Sequence, residues 1–219
     1  MGRGSRQSGA TETVALSKAL SFLLRHGAKE NGVAMSSDGW VRVADALTWA
    51  NRGASKYDED AVRVVVRDND KQRFSLREGS DGALEIRANQ GHSIASIEVQ
   101  MAELTAETAP ERALHGTYAK AWPLIRAGGL SKMSRQHIHL ARGMPGESGV
   151  ISGMRGSCEL LIWVDVRRAI ASGIRFFESS NGVLLTGGVD GVLPPEYIVE
   201  VVDRRTGRAI ALGDDASET

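Results

Sequence analysis

Apolar residues at Leu16, Ala19, Leu20, Leu23 and Leu24 stand three and four apart, the spacing of one buried stripe, and predict an amphipathic helix from Leu16 to His26. Gly27 then reads as the residue that closes it. Two further helices are expected over Val41–Asn51 and Glu59–Val66, the second with Asp58 as N-cap and an apolar face of Val62, Val65 and Val66. The pattern next becomes that of a hairpin: Arg73–Leu76 and Ala83–Arg87 flank a turn region holding Gly79, Asp81 and Gly82. Helices followed by a two-stranded wing predict a winged-helix lobe over residues 13–104.

Thr105–Glu111 is polar, lacks an apolar period and contains Pro110, so it reads as a linker. Beyond it, strands are expected at His137–Ala141, Glu159–Val166, Ile174–Phe177, Gly182–Thr186 and Tyr197–Val202, with one main helix, Ala119–Ala127, closed by Gly128-Gly129. Residues 112–210 therefore read as a lobe with a mostly antiparallel sheet, and the fold class is α+β. Residues 1–12 and the acidic stretch 211–219 are expected to be disordered tails.

Composition narrows this picture. With 27 Lys+Arg against 27 Asp+Glu in 219 residues, the formal net charge is zero, which argues against an indiscriminate grip on nucleic acid. Yet 21 of the basic residues are arginine, whose planar fork suits phosphate, and the charge is uneven. From His115 to Arg155 the basic residues are Lys120, Arg126, Lys132, Arg135, Arg142 and Arg155 against Glu147 alone, a net of +5. One cysteine, Cys158 at the head of an apolar strand, excludes a disulfide framework and fits a reducing, intracellular compartment, cytoplasm or nucleus. No apolar run is long enough to span a membrane, and Met1–Ala10 lacks the apolar core of a secretory signal.

The five histidines sit in polar clusters with arginine close before them: Arg25-His26, Arg87 and His92, His115-Gly116-Thr117, and Arg135-Gln-His137-Ile-His139. Such a pairing can clamp a phosphate and move a proton to it; it can equally place positive charge at a helix C-terminus. His137 and His139 alternate on a strand and could share a metal, but nothing nearby supplies further ligands, so no metal is expected. Neither a Walker lysine motif nor a Gly-x-Gly-x-x-Gly turn opening a helix is present, which disfavours a P-loop or Rossmann nucleotide site. Gly116 before a helix could let a nucleotide approach the backbone; a plain strand-to-helix turn explains it as well.

Taken in order, these clusters resemble the RNA 2′-phosphotransferases of the KptA type, known from tRNA splicing. The segments that carry the resemblance include Leu16–Gly27, Asp38-Gly-Trp-Val41, Lys71-Gln-Arg-Phe74, Ile86–Ser93, His115-Gly-Thr117, Met133–Leu140, Ile151-Ser-Gly-Met-Arg155 and Ser180–Thr186, spread from about Leu16 to Val202. The resemblance implies an N-terminal winged-helix RNA lobe and a C-terminal lobe of the ADP-ribosyltransferase fold. It implies NAD as co-substrate, and an RNA with an internal 2′-phosphate, such as spliced tRNA, as partner for a monomeric enzyme. In that family the RNA phosphate displaces nicotinamide from NAD, and a ribose hydroxyl then frees the RNA as 2′-OH with release of ADP-ribose 1″,2″-cyclic phosphate.

Carried onto this chain, the family's functional tetrad falls on Arg25, His26, Arg73 and Arg135. NAD would be held by His115, Gly116 and Thr117, with Gly129, Leu130 and His139 as further contacts. Arg87, Gln90 and His92 are candidates for RNA or phosphate contacts, with a purely structural wing as the alternative. The glutamate that many ADP-ribosyltransferases carry on a late strand is missing: Thr186-Gly-Gly-Val-Asp190 stands there, and Asp190 reads as a turn residue. Two other activities remain open from sequence, an ADP-ribosyltransferase that leaves its adduct on nucleic-acid phosphate and a non-catalytic winged-helix nucleic-acid binder.

Overall fold

The computed structural model describes residues 4–212 apart from 55, 95, 98, 100, 145, 148, 149, 151–153 and 155. The chain divides into two compact units, Met1–Gln100 and Met101–Thr219.

In the first unit, α1 (Gly4–Phe22) buries the predicted stripe and passes into a π-helical turn, Leu23–Gly27. The helix begins inside the stretch read as a tail. No proline interrupts it, and extending a nucleated helix gains a hydrogen bond for each residue ordered. Gly27 does not close the helix in the left-handed region, because the following residue stays right-handed (Ala28 φ −57°). A Cβ at Gly27 would instead lie 2.6 Å from the Phe22 ring.

The second predicted helix splits into β1 (Val41–Arg42) and α2 (Val43–Ala50), since Val41 is drawn into a sheet. α3 (Glu59–Arg67) starts as expected, the Asp58 carboxylate accepting from the Ala61 N–H at 2.8 Å. β2 (Phe74–Glu78) and β3 (Leu84–Ala88) form the hairpin, and β1 pairs with β3 to complete the antiparallel order β1-β3-β2. Leu16, Leu20, Leu23 and Leu24 pack against Val62, Val65, Phe74 and Ile86 in one core.

The second unit starts earlier than the expected linker because β4 (Ala102–Leu104) pairs with the strand Phe176–Glu178. Thr105 and Thr108 then make a hydrogen-bonded turn into β5 (Arg112–Thr117). A short 3₁₀ turn leads to α4 (Trp122–Gly128), followed by β6 (Leu130–Ser131), β7 (Ile138–Leu140), β8 (Leu160–Asp165) and α5 (Val166–Ala171). β9 (Phe176–Glu178), β10 (Leu184–Thr186), β11 (Val192–Leu193) and β12 (Ile198–Asp203) complete it. The sheets run β4-β9-β10-β7, β12-β8-β5 and β11-β6, and every strand pair recorded is antiparallel. Phe176, Ile162, Leu140 and Leu184 fill the main core; Cys158 is buried in a smaller cluster with Leu114, Ala141 and Met154. No helix among the described residues is long and apolar enough to cross a membrane.

Candidate functional site

The π turn decides how Arg25 and His26 are presented. A wider turn shifts the residues that follow relative to the α-helical stripe, and such turns recur at functional sites. Leu23 and Leu24 stay in the core, while Arg25 and His26 are only half-buried. Ser93, in the loop after β3, holds both. Its N–H donates to the Arg25 carbonyl at 3.0 Å, and its hydroxyl lies 2.8 Å from His26 Nδ1. The Arg25 guanidinium rests on Gly91, whose positive φ of 89° and missing Cβ leave that place open.

Arg73 is set by a second local device. Gln72 adopts a left-handed φ of 43°, an unfavourable conformation for a residue with a side chain. It is held by its own N–H donating to the Asn69 carbonyl at 2.7 Å and by the Asn89 side-chain amide donating to its carbonyl at 2.7 Å. Asn69 Oδ1 then accepts from the Arg73 N–H at 3.3 Å and Nη1 at 3.2 Å. Arg73 forms no ion pair among the described residues, and burial pulls its guanidinium below the usual arginine range, Asp70 opposing that shift. Arg25 and Arg73 line one cavity of about 570 Å³, together with Ser17, Lys18, Ser21 and Lys71. Arg25, His26 and Arg73 are thus served by neighbouring loops of one unit. Gln90 and His92 are buried in that unit's packing, and Arg87 is half-buried on β3.

In the second unit the sequence motifs take different positions from those expected. His115-Gly116-Thr117 is the end of strand β5 rather than a turn. Leu114 and Ala141 exchange backbone hydrogen bonds at 2.8 Å, which brings β5 beside the His137–His139 segment. His115 Nδ1 donates to the His139 carbonyl at 3.0 Å; a carbonyl only accepts, so the proton of that ring sits on Nδ1.

The space beside Gly116 is taken by protein, because a Cβ there would strike the Met154 side chain and crowd Cys158 Sγ. Gly129, at φ 90°, is likewise required by the Leu193 carbonyl, and Leu130 is a core residue paired with Leu193. Arg135, half-buried, donates its N–H to the Lys132 carbonyl at 3.1 Å in a turn where Met133 has φ 55°. Asp190 is a left-handed turn residue (φ 50°) between Val189 and Val192, as read from sequence. Among the described residues no group of three or more His, Cys, Asp or Glu could hold a metal ion.

Residues 11–188, spanning both units, match the model of the RNA 2′-phosphotransferase, Tpt1 / KptA family. The chain belongs to that family. It is 49% identical over 200 residues to tRNA 2′-phosphotransferase 1 of Danio rerio, covering 90% of this chain and 88% of the relative. It is 45% identical to tRNA 2′-phosphotransferase 1 of Homo sapiens, covering 99% and 87%, and 36% identical to tRNA 2′-phosphotransferase of Saccharomyces cerevisiae, covering 86% and 83%.

Within this 2′-phosphotransferase chain, sequence reading overlooked Ser93, Asn69 and Asn89, whose work is to hold other residues. The signal for Ser93 and Asn89 was their place in the Ile86–Ser93 segment that carries the resemblance. The basic window also needs correction as a guide to an anion site. Arg142 is neutralised by Glu178 in a bidentate pair at 2.7 and 2.8 Å, which raises its affinity for its proton, and Arg155 lies outside the described residues together with most of Ile151–Arg155.

Proposed function

We propose that this protein is an NAD-dependent RNA 2′-phosphotransferase that removes an internal 2′-phosphate from RNA, tRNA being the substrate that its relatives' names give. The observation that carries the reading beyond family membership is the shared cavity wall. Arg25 and Arg73, distant in sequence, line one space, with Lys18 and Lys71 as well as Asp68 and Asp70 on its wall, in which a phosphate could be held by two guanidiniums. Three helices on the β1-β3-β2 sheet support a winged-helix unit as its RNA-binding part, and the antiparallel sheets of the second unit support an ADP-ribosyltransferase-like part.

His115, Thr117 and His139 fit a nucleotide co-substrate: the His115 tautomer is fixed, and the polar edge of β5 stays half exposed. Gly116 shapes that edge, its surroundings being filled by Met154, while Gly129 and Leu130 shape the turn packed against Leu193. Bound NAD supplies a ribose carbon bearing nicotinamide as a leaving group and, beside it, a hydroxyl that can take over the phosphate.

The chain's own groups do the rest. Arg25 and Arg73 hold the dianionic 2′-phosphate and offset the charge that builds on its oxygens. His26, its Nδ1 tied to Ser93, presents Nε2 for a hydrogen bond to phosphate and for proton transfer. Arg135 is assigned to the same reaction by the family motif that it belongs to. Arg87, Gln90 and His92 support the RNA side. A 2′-phosphate blocks alkaline cleavage at its nucleotide because the attacking hydroxyl is masked. Incubation with NAD should make that position alkali-labile, whereas an RNA that stays resistant would refute the reading.

A further inference from the structure

Alternation along β3 sends Ile86 into the core and puts Glu85 and Arg87 on the opposite face of the first unit's sheet, with Arg77 opposite Glu85 and Ser75 opposite Arg87. Trp40 lies here: the guanidinium carbons of Arg77 and Arg87 are 4.2 and 4.7 Å from its ring centroid. The two arginines are not equivalent. Arg77 is matched by Glu85 at 2.7 Å and Asp38 at 3.5 Å, whereas Arg87 forms no ion pair among the described residues.

Trp40 is only 7% exposed, yet its indole N–H reaches no acceptor among the described residues, and neither does the buried Nε–H of Arg87. Buried donors are satisfied in nine cases of ten or more, so two orphans in one stack mark an acceptor that no described residue supplies. A water could accept both, but Asp38, the carboxylate whose charge acts on Arg87, makes no ion pair with it and is already paired with Arg77 at 3.5 Å, so a water would leave the half-buried guanidinium only partly offset. Burial does press on that charge, holding Arg87 below the usual arginine range. An anion answers both needs.

The location says which anion. Ser75 pairs with Arg87 and follows Arg73 by two residues, about 6.6 Å along an extended strand. Asn89, two residues beyond Arg87, donates its N–H to the Arg73 carbonyl. The stack therefore lies beside Arg73, where an RNA bound through its 2′-phosphate brings the phosphates of its own backbone.

We propose that Trp40 and Arg87 form a second anion subsite, which takes a backbone phosphate of the RNA strand flanking the 2′-phosphorylated nucleotide. The subsite rests on the proposed function in that the ligand is the same RNA. It gives the enzyme a reason to prefer a 2′-phosphate carried by an RNA strand over that of a lone nucleoside, which has no flanking phosphate.

The test is the Kd of a labelled RNA hexamer with one internal 2′-phosphate, read by fluorescence anisotropy on the full chain without NAD. Arg87→Gln should weaken binding about tenfold, and Trp40→Phe, which keeps a ring and deletes the N–H, about threefold. On the wild-type protein, replacing one of the two flanking phosphates by a neutral methylphosphonate should also cost about tenfold, with no further loss in Arg87→Gln. That arm depends on no variant folding. Wild-type binding indifferent to neutralisation of either flank would overturn the subsite, as would losses from the variant and the methylphosphonate that multiply, or unchanged binding in both variants, the mark of a trapped water only. Because NAD is absent, failed turnover refutes the reaction while this subsite is still judged on binding.

Discussion

Two pairs of arginines, one pair in each unit, are used in opposite ways. In the second, Arg142 and Arg175 are clasped by Glu178 and Glu103 in bidentate pairs at 2.6–2.8 Å, and each carboxylate raises its partner's affinity for the proton. In the first, Arg73 and Arg87 have no carboxylate in contact among the described residues, and burial lowers both. A paired arginine is finished within the fold. A half-buried one without a paired carboxylate is costly unless a ligand completes it, which is the reason for proposing Arg73 and Arg87 as phosphate ligands.

The sharpest way to break this contrast is to remove one arginine of each kind. Arg73→Ala should lower kcat/KM on 2′-phosphorylated RNA by about 10²–10³-fold, the usual loss when one group stabilising developing charge is deleted. Arg175→Ala, at an exposed pair, should stay within about twofold. Equal losses in steady-state assays would dissolve the distinction.

In the second unit Gly116 is held to its identity by packing. Gly116→Ala must displace Met154 and should cost about 1–3 kcal/mol in denaturant unfolding. A neutral result would mean that the site is looser than its contacts state.

A smaller effect belongs to Ser93. Ser93→Ala releases His26 and should lower kcat about tenfold and alter its pH profile, with Ser93→Thr recovering most of the rate, as befits one positioning hydrogen bond. Loss confined to unfolding stability would make Ser93 merely structural.

The smallest effect is a titration. Burial, and secondarily Lys132, lower His137 below its ordinary 6.5. The unfolded chain then binds this proton more readily, so stability contributed by neutral His137 is present above about pH 6.5 and is lost as pH falls below it. Ring-proton NMR should find its midpoint below 6.5; a midpoint above it contradicts the burial argument.

Periodicity read the helix at Leu16–Leu24, the Asp58 cap and the wing strands, because each rests on local spacing. It missed the break at Val41, whose strand exists only because β3 lies beside it, and β4, whose partner is some seventy residues away. Such pairings are non-local and leave no period in the sequence. The candidate site divides the same way. Arg25, His26 and Arg73 were legible from residue type and motif. The π turn, the left-handed Gln72 and the clasp of Ser93 were not, since they arise from hydrogen bonds between segments that meet only in the fold. Gly116 shows the opposite limit, a glycine noticed for a ligand's sake whose space is filled by Met154.

One measurement bears most directly on the account. The 2′-phosphate of an RNA is labelled with ³²P and followed during incubation with the protein and NAD. The label should leave the RNA and appear in ADP-ribose 1″,2″-cyclic phosphate, one for each nicotinamide released and none without NAD. Label released as inorganic phosphate, or retained on the RNA while nicotinamide accumulates, would contradict it.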